Sequence, residues 1–264
     1  AFELGDLPMA WKTVARLALL LLSVALTEAL ELHIKAGPNG RVAGDCPFAH
    51  AIRIAAAAKS IDLNILPHGP TNKPEWLVSK YDGKMPCLVS DDGKEVVTES
   101  KVIAQWLEDN YPTPPLTGSP LQQAAEEVAG PVFGAFARYC KSTEDDESPD
   151  GKERKKALLL ALCNLDTHLQ NNAAPFAAGP TITTVDCFLL PALYHIQVAG
   201  LEFKGFEIPY QFDALNLYME RHLNSKMVQA CTPPEAMVLW GWANARGDTA
   251  AAYDAERALG GKRR

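Results

Sequence analysis

The chain has 264 residues, 47% of them hydrophobic, and a formal net charge of −7. This length and hydrophobic content suit one large domain or two small ones with a substantial core. An acidic chain without a basic stripe argues against nucleic acid as the main partner. The six cysteines have neither the paired spacing of a disulfide framework nor the spacing of zinc ligands. We therefore expect no metal site, and a reducing compartment.

Residues 1–28 differ from the rest of the chain in composition. Lys12 and Arg16 precede an uncharged apolar run over residues 17–26, and small residues follow it. This order is that of a secretory signal, although an amphipathic or unstructured extension fits equally well. The run is too short to cross a bilayer as a stable span. We expect an N-terminal extension outside the fold, either a tag remnant or a targeting segment.

Residues 29–111 have the pattern of a small α/β domain. Apolar and polar residues alternate over residues 30–35, which is the periodicity of a strand. An alanine-rich apolar run after Pro47 predicts a helix, and an Asp-Asp-Gly turn at residues 91–93 predicts a hairpin. The predicted order is strand (30–35), helix (47–59), strand (63–66), helical turn (75–77), hairpin (85–89 with 95–98) and a helix from residue 100.

Cys46 lies where the first of these helices begins. Proline is favoured at the first position of a helix, so Pro47 places Cys46 at the N-cap, where the positive end of the helix dipole faces its sulfur. Such a site stabilises a thiolate and lowers the pKa of a cysteine. The alternative is an unreactive buried cysteine, but the preceding Gly44 and Asp45 favour a reactive one. Ala49 stands where a Cys-x-x-Cys motif has its second cysteine, so a small external thiol would have to resolve a mixed disulfide at Cys46.

The order of these elements, with a cysteine at the first helix, resembles the thioredoxin fold. That resemblance implies that Pro86, just before the third strand, is a cis proline facing the cysteine, and that the backbone of Met85 binds a peptide-like ligand. A trans proline at the first residue of a strand is the alternative. Glu99 and Ser100 open the next helix, whose free N–H groups suit a carboxylate. Ser100 is also a common helix cap, and both roles are compatible.

A proline-rich segment and a helical half follow. Residues 112–120 contain four prolines, which is typical of a linker. Helical spacing dominates beyond it, and Thr183 and Asp186 have the spacing of a capping box, which we interpret as structural. The acidic residues 143–151 predict a solvated loop. The predicted helices are 121–141, interrupted or kinked near Gly130 and Pro131, 152–169, 183–200, 211–231 and 235–245.

A thioredoxin-like half, a proline linker and a helical half together resemble the cytosolic glutathione transferase fold. The predicted fold class is α/β plus all-α, with a thioredoxin-like N-terminal domain followed by an all-helical C-terminal domain. The expected boundaries are 1–28 for the extension, 29–111 for the first domain, 112–120 for the linker and 121–264 for the helical domain.

Short motifs carry a closer resemblance. They are Lys35 in the first strand, Gly-Asp-Cys-Pro-Phe at 44–48, Asn-Lys-Pro-Glu-Trp at 72–76, Gly-Lys-Met-Pro at 83–86, Tyr-Pro-Thr-Pro at 111–114, Leu-Tyr-His at 193–195 and Gly-Trp at 241–242. Their order and spacing resemble the plant and algal dehydroascorbate reductases over residues 29–245. The omega-class glutathione transferases and the chloride intracellular channel proteins share the Cys-Pro-Phe piece. The Gly-Asp before the cysteine and the Lys-Pro-x-Trp favour the reductases.

The resemblance implies an enzyme that reduces dehydroascorbate to ascorbate with two glutathiones, which are co-substrates and not a bound cofactor. Cys46 would be the nucleophile and would form a mixed disulfide with glutathione in a ping-pong reaction. The other implied site residues are Lys35 and Asp45 near the sulfur, Lys73, Met85, Pro86, Glu99 and Ser100 for glutathione, and His195 and Trp242 for ascorbate. His50 stands where the plant enzymes usually have a polar amide; we expect it to be solvated, and the alternative is that it tunes the thiolate.

Two other functions stay open on the sequence. One is an omega-like thioltransferase that acts on mixed disulfides, and the other is a redox-gated, membrane-associating protein like the chloride channel relatives. The resemblance implies a monomer in the cytoplasm or a plastid, without a stable membrane span. The sequence leaves open the compartment, the oligomeric state and whether the intermediate is a sulfenic acid or a thiol adduct. It also leaves open the roles of Cys87, Cys140, Cys163, Cys187 and Cys231.

Overall fold

The structure is a computed structural model that describes residues 29–260. The predicted fold class is confirmed within this range, because a four-stranded sheet with its helices is followed by a helical domain. The predicted extension, residues 1–28, lies outside the described residues, as do residues 261–264.

The N-terminal domain is built on a mixed sheet. Its elements are β1 (Leu30–Lys35), α1 (Pro47–Ala58), β2 (Leu63–His68), α2 (Glu75–Tyr81), β3 (Cys87–Val89), β4 (Val96–Thr98) and α3 (Ser100–Asn110). The strand order is β2-β1-β3-β4. Strand β1 pairs in parallel with β2 and antiparallel with β3, and the predicted hairpin joins β3 to β4. Gly93 forms its turn at a φ of +70°, a conformation that glycine adopts without steric cost.

The helical domain follows the predicted order with several differences, and its first helix runs through Gly130 and Pro131 without the predicted interruption. Its helices are α4 (Gln122–Lys141), α5 (Pro149–Asn172), α6 (Thr184–His195), α7 (Leu201–Lys204), α8 (Asp213–Leu223), α9 (Lys226–Cys231), α10 (Glu235–Arg246) and α11 (Thr249–Ala258), and a π-helical turn (Ile196–Gly200) joins α6 to α7. The expected single helix 211–231 is wrong, because the side chain of Ser225 accepts from the backbone N–H of Val228 and starts a new helix. Helix α11, which begins at the Asp248 cap, was not predicted. The acidic loop is not simply solvated, since Asp146 accepts from Lys155 Nζ at 3.3 Å and from Lys204 Nζ at 3.4 Å.

One hydrophobic core runs through both domains. Helix α1 belongs to this core and packs against α3 of its own domain and against α6 of the helical domain, and Ile52 and Ile54 are fully buried. The first turn of α1 is thereby fixed by packing on several sides. A residue at that turn is held rigidly against both domains, which is what a preorganised site requires.

The proline-rich segment is held against the first domain by a buried charge. Lys59, directly after α1, has a fully buried side chain and an ion pair with Glu108 at 2.6 Å. The ammonium of Lys59 also donates to the carbonyls of Tyr111 at 2.7 Å and Pro114 at 2.8 Å. These partners satisfy a buried cation that would otherwise be costly, so this segment is an ordered part of the interface.

One apolar stretch among the described residues is long enough to qualify as a membrane span by composition. It is Thr184–Lys204, with a mean hydropathy of 1.3, and 72% of that window is buried inside the protein. A buried core helix of a folded domain has the same composition.

Candidate active site

Cys46 occupies the N-cap of α1, as predicted, and Pro47 takes the first helical position. The preceding glycine is required by close backbone contacts. Gly44 N–H donates to the carbonyl of Lys35 at 2.8 Å, and a Cβ at Gly44 would lie 2.7 Å from that same oxygen. The Gly-Asp-Cys-Pro motif therefore brings the chain tightly past the end of β1 and turns the cysteine onto the helix N-terminus.

The thiol of Cys46 is half-buried, and opposing effects act on its pKa. Burial raises its pKa, while the backbone N–H groups of Ala49 and Phe48 lower it; the nearby carboxylate of Asp45 raises it and the ammonium of Lys35 lowers it. Burial dominates and raises the pKa of the Cys46 thiol, so the expectation of a lowered pKa is wrong. The helix N–H groups are nevertheless aimed at the sulfur, where they stabilise negative charge as it forms.

Lys35 and Asp45 meet beside the cysteine, as predicted. Lys35 Nζ lies 3.0 Å from Asp45 Oδ1, with the lysine about half exposed and the aspartate largely buried. The ammonium of Lys35 also lies 5.4 Å from the centre of the Trp240 ring on α10. Gly241 is required here, since a Cβ would lie 1.8 Å from Asp45 Oδ2. The Lys35–Asp45 ion pair thus connects the loop before Cys46 to the helical domain. One side of the Lys35 ammonium stays open to solvent.

A cavity of about 430 Å³ lies between the start of α1 and the start of α3. Four predicted residues line it, namely Met85, Pro86, Glu99 and Ser100, and the Met85–Pro86 peptide is cis as the resemblance implied. The lining also includes Phe48, Lys84 and Lys101, which the sequence reasoning did not select. Lys84 and Lys101 are direct neighbours of the predicted residues Met85 and Ser100. Their position next to those residues in the sequence was the one feature that could have indicated them.

Glu99 has an unusual backbone conformation at this cavity. Its φ is +70°, a region that non-glycine residues rarely adopt and that costs on the order of 1–3 kcal/mol. Its side chain is mostly exposed and pairs with Lys84 at 3.3 Å. Lys73, predicted for the same ligand, donates from Nζ to the carbonyl of Gly83 at 3.1 Å. Its ammonium therefore lies beside the segment that forms one wall of the cavity.

His195 and Trp242 form a bonded pair behind the site. Both are buried, and Trp242 Nε1 donates to His195 Nδ1 at 2.9 Å. Because Nδ1 accepts, the proton of the neutral imidazole lies on Nε2. Burial lowers the pKa of His195, while the charge and the backbone of the nearby Asp45 raise it. Phe133 packs edge-on against His195 and against Phe48 at the mouth of the cavity. Phe133 thus covers the His195–Trp242 pair and links it to Phe48, which lines the cavity.

His50 is buried, so its expected solvation is wrong. It lies one turn after Cys46 on the face of α1 that packs on α6, with its ring against Tyr194 and Nε2 3.3 Å from Thr232 Oγ1. The alanine-rich sequence around His50 predicted a helix, but it did not indicate which residues of that helix would be buried. Its role is at the domain interface.

Acid is expected to destabilise the protein through these two histidines. Burial lowers the pKa of His50 to about 3 and that of His195 to about 4, against about 6.5 in an unfolded chain. Between these values the unfolded state binds more protons, so stability falls as the pH falls from about 6.5, by about 1.4 kcal/mol for each histidine at about pH 5.5. Urea unfolding at about pH 7.5 and pH 5.5 measures the loss. His50→Gln should remove about 1.4 kcal/mol of it, and an unchanged loss in that variant would contradict the assignment.

Residues 29–260 contain no group of three or more His, Cys, Asp or Glu side chains that could hold a metal ion. All six cysteines lie in this range and have free thiols, and Cys163 is the exposed one.

Comparison with known proteins agrees with this arrangement. Residues 45–110 match the glutathione S-transferase N-terminal domain. The chain is 33% identical over 201 residues to the probable glutathione S-transferase DHAR1, cytosolic, of Oryza sativa, covering 76% of this chain and 90% of that protein. It is 30% identical over 238 residues to the probable glutathione S-transferase DHAR2, chloroplastic, of the same species, covering 89% and 83%.

A solved structure gives the same result. The dehydroascorbate reductase of Chlamydomonas reinhardtii superposes with a TM-score of 0.71 at 26% identity, over 83% of this chain and 99% of that one. Fold, motif order and sequence identity over most of the length thus agree. The chain belongs to the dehydroascorbate reductase (DHAR) group of the glutathione S-transferase family.

Proposed function

We propose that this protein reduces dehydroascorbate to ascorbate with two molecules of glutathione, and that Cys46 is the nucleophile. The observation that carries the proposal is the Cys46 thiol at the N-terminus of α1, without a second cysteine in that turn, in the same turn as Phe48, which lines a cavity together with cis-Pro86. A single thiol in this position forms mixed disulfides and depends on an external thiol to release them.

The reaction proceeds in three steps that balance. The sulfur of Cys46 attacks a carbonyl carbon of dehydroascorbate and its proton passes to the carbonyl oxygen, which gives a thiohemiketal. A glutathione thiolate attacks the Cys46 sulfur, the carbon–sulfur bond breaks, and its electron pair enters the ring to form ascorbate. A second glutathione thiolate attacks the glutathione sulfur of the mixed disulfide, and Cys46 leaves as a thiolate with glutathione disulfide as the other product.

The charges around the sulfur suit these steps. The N–H groups of Phe48 and Ala49 face the thiolate that leaves in the last step. The half-exposed ammonium of Lys35, held by Asp45 at 3.0 Å, would stabilise the negative charge that develops on the substrate oxygens. His195 and Trp242 would form the wall behind the ascorbate side, through Phe133.

Glutathione would occupy the cavity at the start of α3. Its carboxylates suit the free N–H groups near Ser100 and the ammonium of Lys73, and its amino group suits the exposed carboxylate of Glu99. Its cysteine backbone would pair with that of Met85, next to the cis proline. The observed strain at Glu99 supports a functional role for this residue, since such conformations cluster at ligand sites.

Comparing two substrates tests the proposal against a thioltransferase. Ascorbate formation from dehydroascorbate should be faster than reduction of a glutathionylated model disulfide at the same glutathione concentration. A reversed order would assign the protein to the thioltransferases. A relative named cytosolic and another named chloroplastic support the cytoplasm or a plastid as the compartment. We propose a monomer, which sedimentation of the full chain would check.

A further inference from the structure

Two histidines face each other beneath the loop that carries Lys73. His33 lies on β1 and His68 ends β2, and His33 Nδ1 is 2.8 Å from His68 Nε2. The two rings are nearly parallel, with an angle of 11° between them. The edge of Trp76 covers His33, whose exposed fraction is only 4%. This contact joins the central strand of the sheet to the beginning of the loop at residues 69–74.

The other nitrogen of His68 fixes the direction of the hydrogen bonds. His68 Nδ1 lies 3.1 Å from the carbonyl oxygen of Asn72, and a carbonyl can only accept. His68 therefore donates from Nδ1 and accepts at Nε2 from the Nδ1–H of His33. Burial, and next the neighbouring His68, lower the pKa of His33, while the carboxylate of Glu31 raises it. The carboxylate oxygen Oε2 of Glu31 lies 3.4 Å from His33 Nε2.

Asn72 extends this contact to the loop before Cys46. Its Oδ1 accepts from the backbone N–H of Gly69 at 2.5 Å, and its Nδ2 lies 3.4 Å from the carbonyl of Gly40. The next residue, Lys73, donates from Nζ to the carbonyl of Gly83. His68 therefore holds the backbone at Asn72, just before Lys73. The carbonyl of Gly83, next to the cavity wall, holds the ammonium of Lys73.

We propose that His33 and His68 are positioning residues that hold the loop at residues 69–74, and with it Lys73, in the geometry that binds glutathione. The inference rests on the proposed function, because it needs glutathione as the ligand of Lys73. In this proposal neither histidine contacts glutathione: His33 acts on His68, and His68 acts on Asn72. The hydrogen bond between the two histidines is partly buried, with Trp76 packed against His33, and such a bond is stronger than one at an exposed site.

Two substitutions at His68 separate positioning from packing. Glutamine retains one donor for the Asn72 carbonyl and one acceptor for His33, while phenylalanine retains the ring and loses both hydrogen bonds. His68→Phe should raise the KM for glutathione roughly threefold to tenfold, as expected for one or two lost hydrogen bonds, and leave kcat nearly unchanged. His68→Gln should stay within about twofold of the unsubstituted protein.

Binding of S-methylglutathione to the same variants gives a second readout that does not depend on turnover. It is measured by titration calorimetry on the full chain. His168→Phe is the matched control, because His168 also contacts a backbone carbonyl, that of Ala177, but lies in the helical domain. If His68→Phe binds normally and His68→Gln binds weakly, the histidine acts by packing and the inference is wrong. If all variants bind S-methylglutathione equally well, the inference is also wrong. If the unsubstituted protein does not bind S-methylglutathione at all, the proposed function itself fails.

Discussion

Replacing Cys46 with serine is expected to reduce glutathione-dependent reduction of dehydroascorbate by on the order of a thousandfold or more. The hydroxyl of serine does not ionise in the N-terminal field of α1 and cannot form a disulfide with glutathione, so both halves of the reaction are lost. Initial rates of ascorbate formation, with glutathione saturating, measure the effect. Binding of S-methylglutathione should persist, since the cavity between α1 and α3 is lined by other side chains.

The matched control is Cys163→Ser on α5, the exposed cysteine of the described residues. It should retain normal turnover, because it lies in the helical domain and has no part in the proposed steps. Substantial activity in Cys46→Ser would show that another group attacks the substrate. A loss in Cys163→Ser equal to that in Cys46→Ser would show that the activity is sensitive to cysteine replacement in general.

Replacing Asp186 with alanine is expected to lower the free energy of unfolding by about 4 kcal/mol. This carboxylate is fully buried and completes the predicted capping box of α6, accepting from the backbone and hydroxyl of Thr183 at 2.8 and 2.9 Å. It also accepts from the N–H of Ala177 and the hydroxyl of Tyr218, each at 2.8 Å. Alanine would leave these four donors without partners inside the protein, and unfolding in urea measures the loss.

Asp248→Ala provides the matched control for that prediction. Asp248 also caps a helix, accepting from Ala251 N–H at 3.0 Å, but at an exposed site where water replaces it. Its loss should cost about 1 kcal/mol. Equal losses in the two variants would mean that burial of the Asp186 network contributes nothing beyond ordinary capping.

Local signals in the sequence predicted most of the fold. Strand β1 and helix α1 lie where alternation and the proline after Cys46 placed them, and the Asp-Asp-Gly turn correctly predicted the hairpin. The break at Ser225 was missed because its signal, one capping serine, is weak beside the apolar periodicity on both sides. The bonds of Asp146 to lysines on α5 and α7 depend on how distant helices pack, which composition does not reveal.

The site was predictable in part for the same reason. Residues in contiguous motifs line one cavity, because Met85 and Pro86 directly precede β3, and Glu99 and Ser100 lie at the start of α3. The burial of His50 could not be predicted, because α1 packs on both domains and has no consistently solvent-facing side near its start. The raised pKa of Cys46 follows from the same packing, which outweighs the effect of the helix N-terminus. The proposed roles of the site residues remain predictions for the experiments above.

The central claim is that one cysteine forms a mixed disulfide with glutathione while dehydroascorbate is reduced. Its most direct test treats the protein with dehydroascorbate and one equivalent of glutathione, stops the reaction in acid, and measures the masses of its peptides. We predict one glutathionyl group on the peptide that contains Cys46, and its release when more glutathione is added. Ascorbate formed with Cys46 unmodified, or with the glutathionyl group on a different cysteine, would contradict the mechanism.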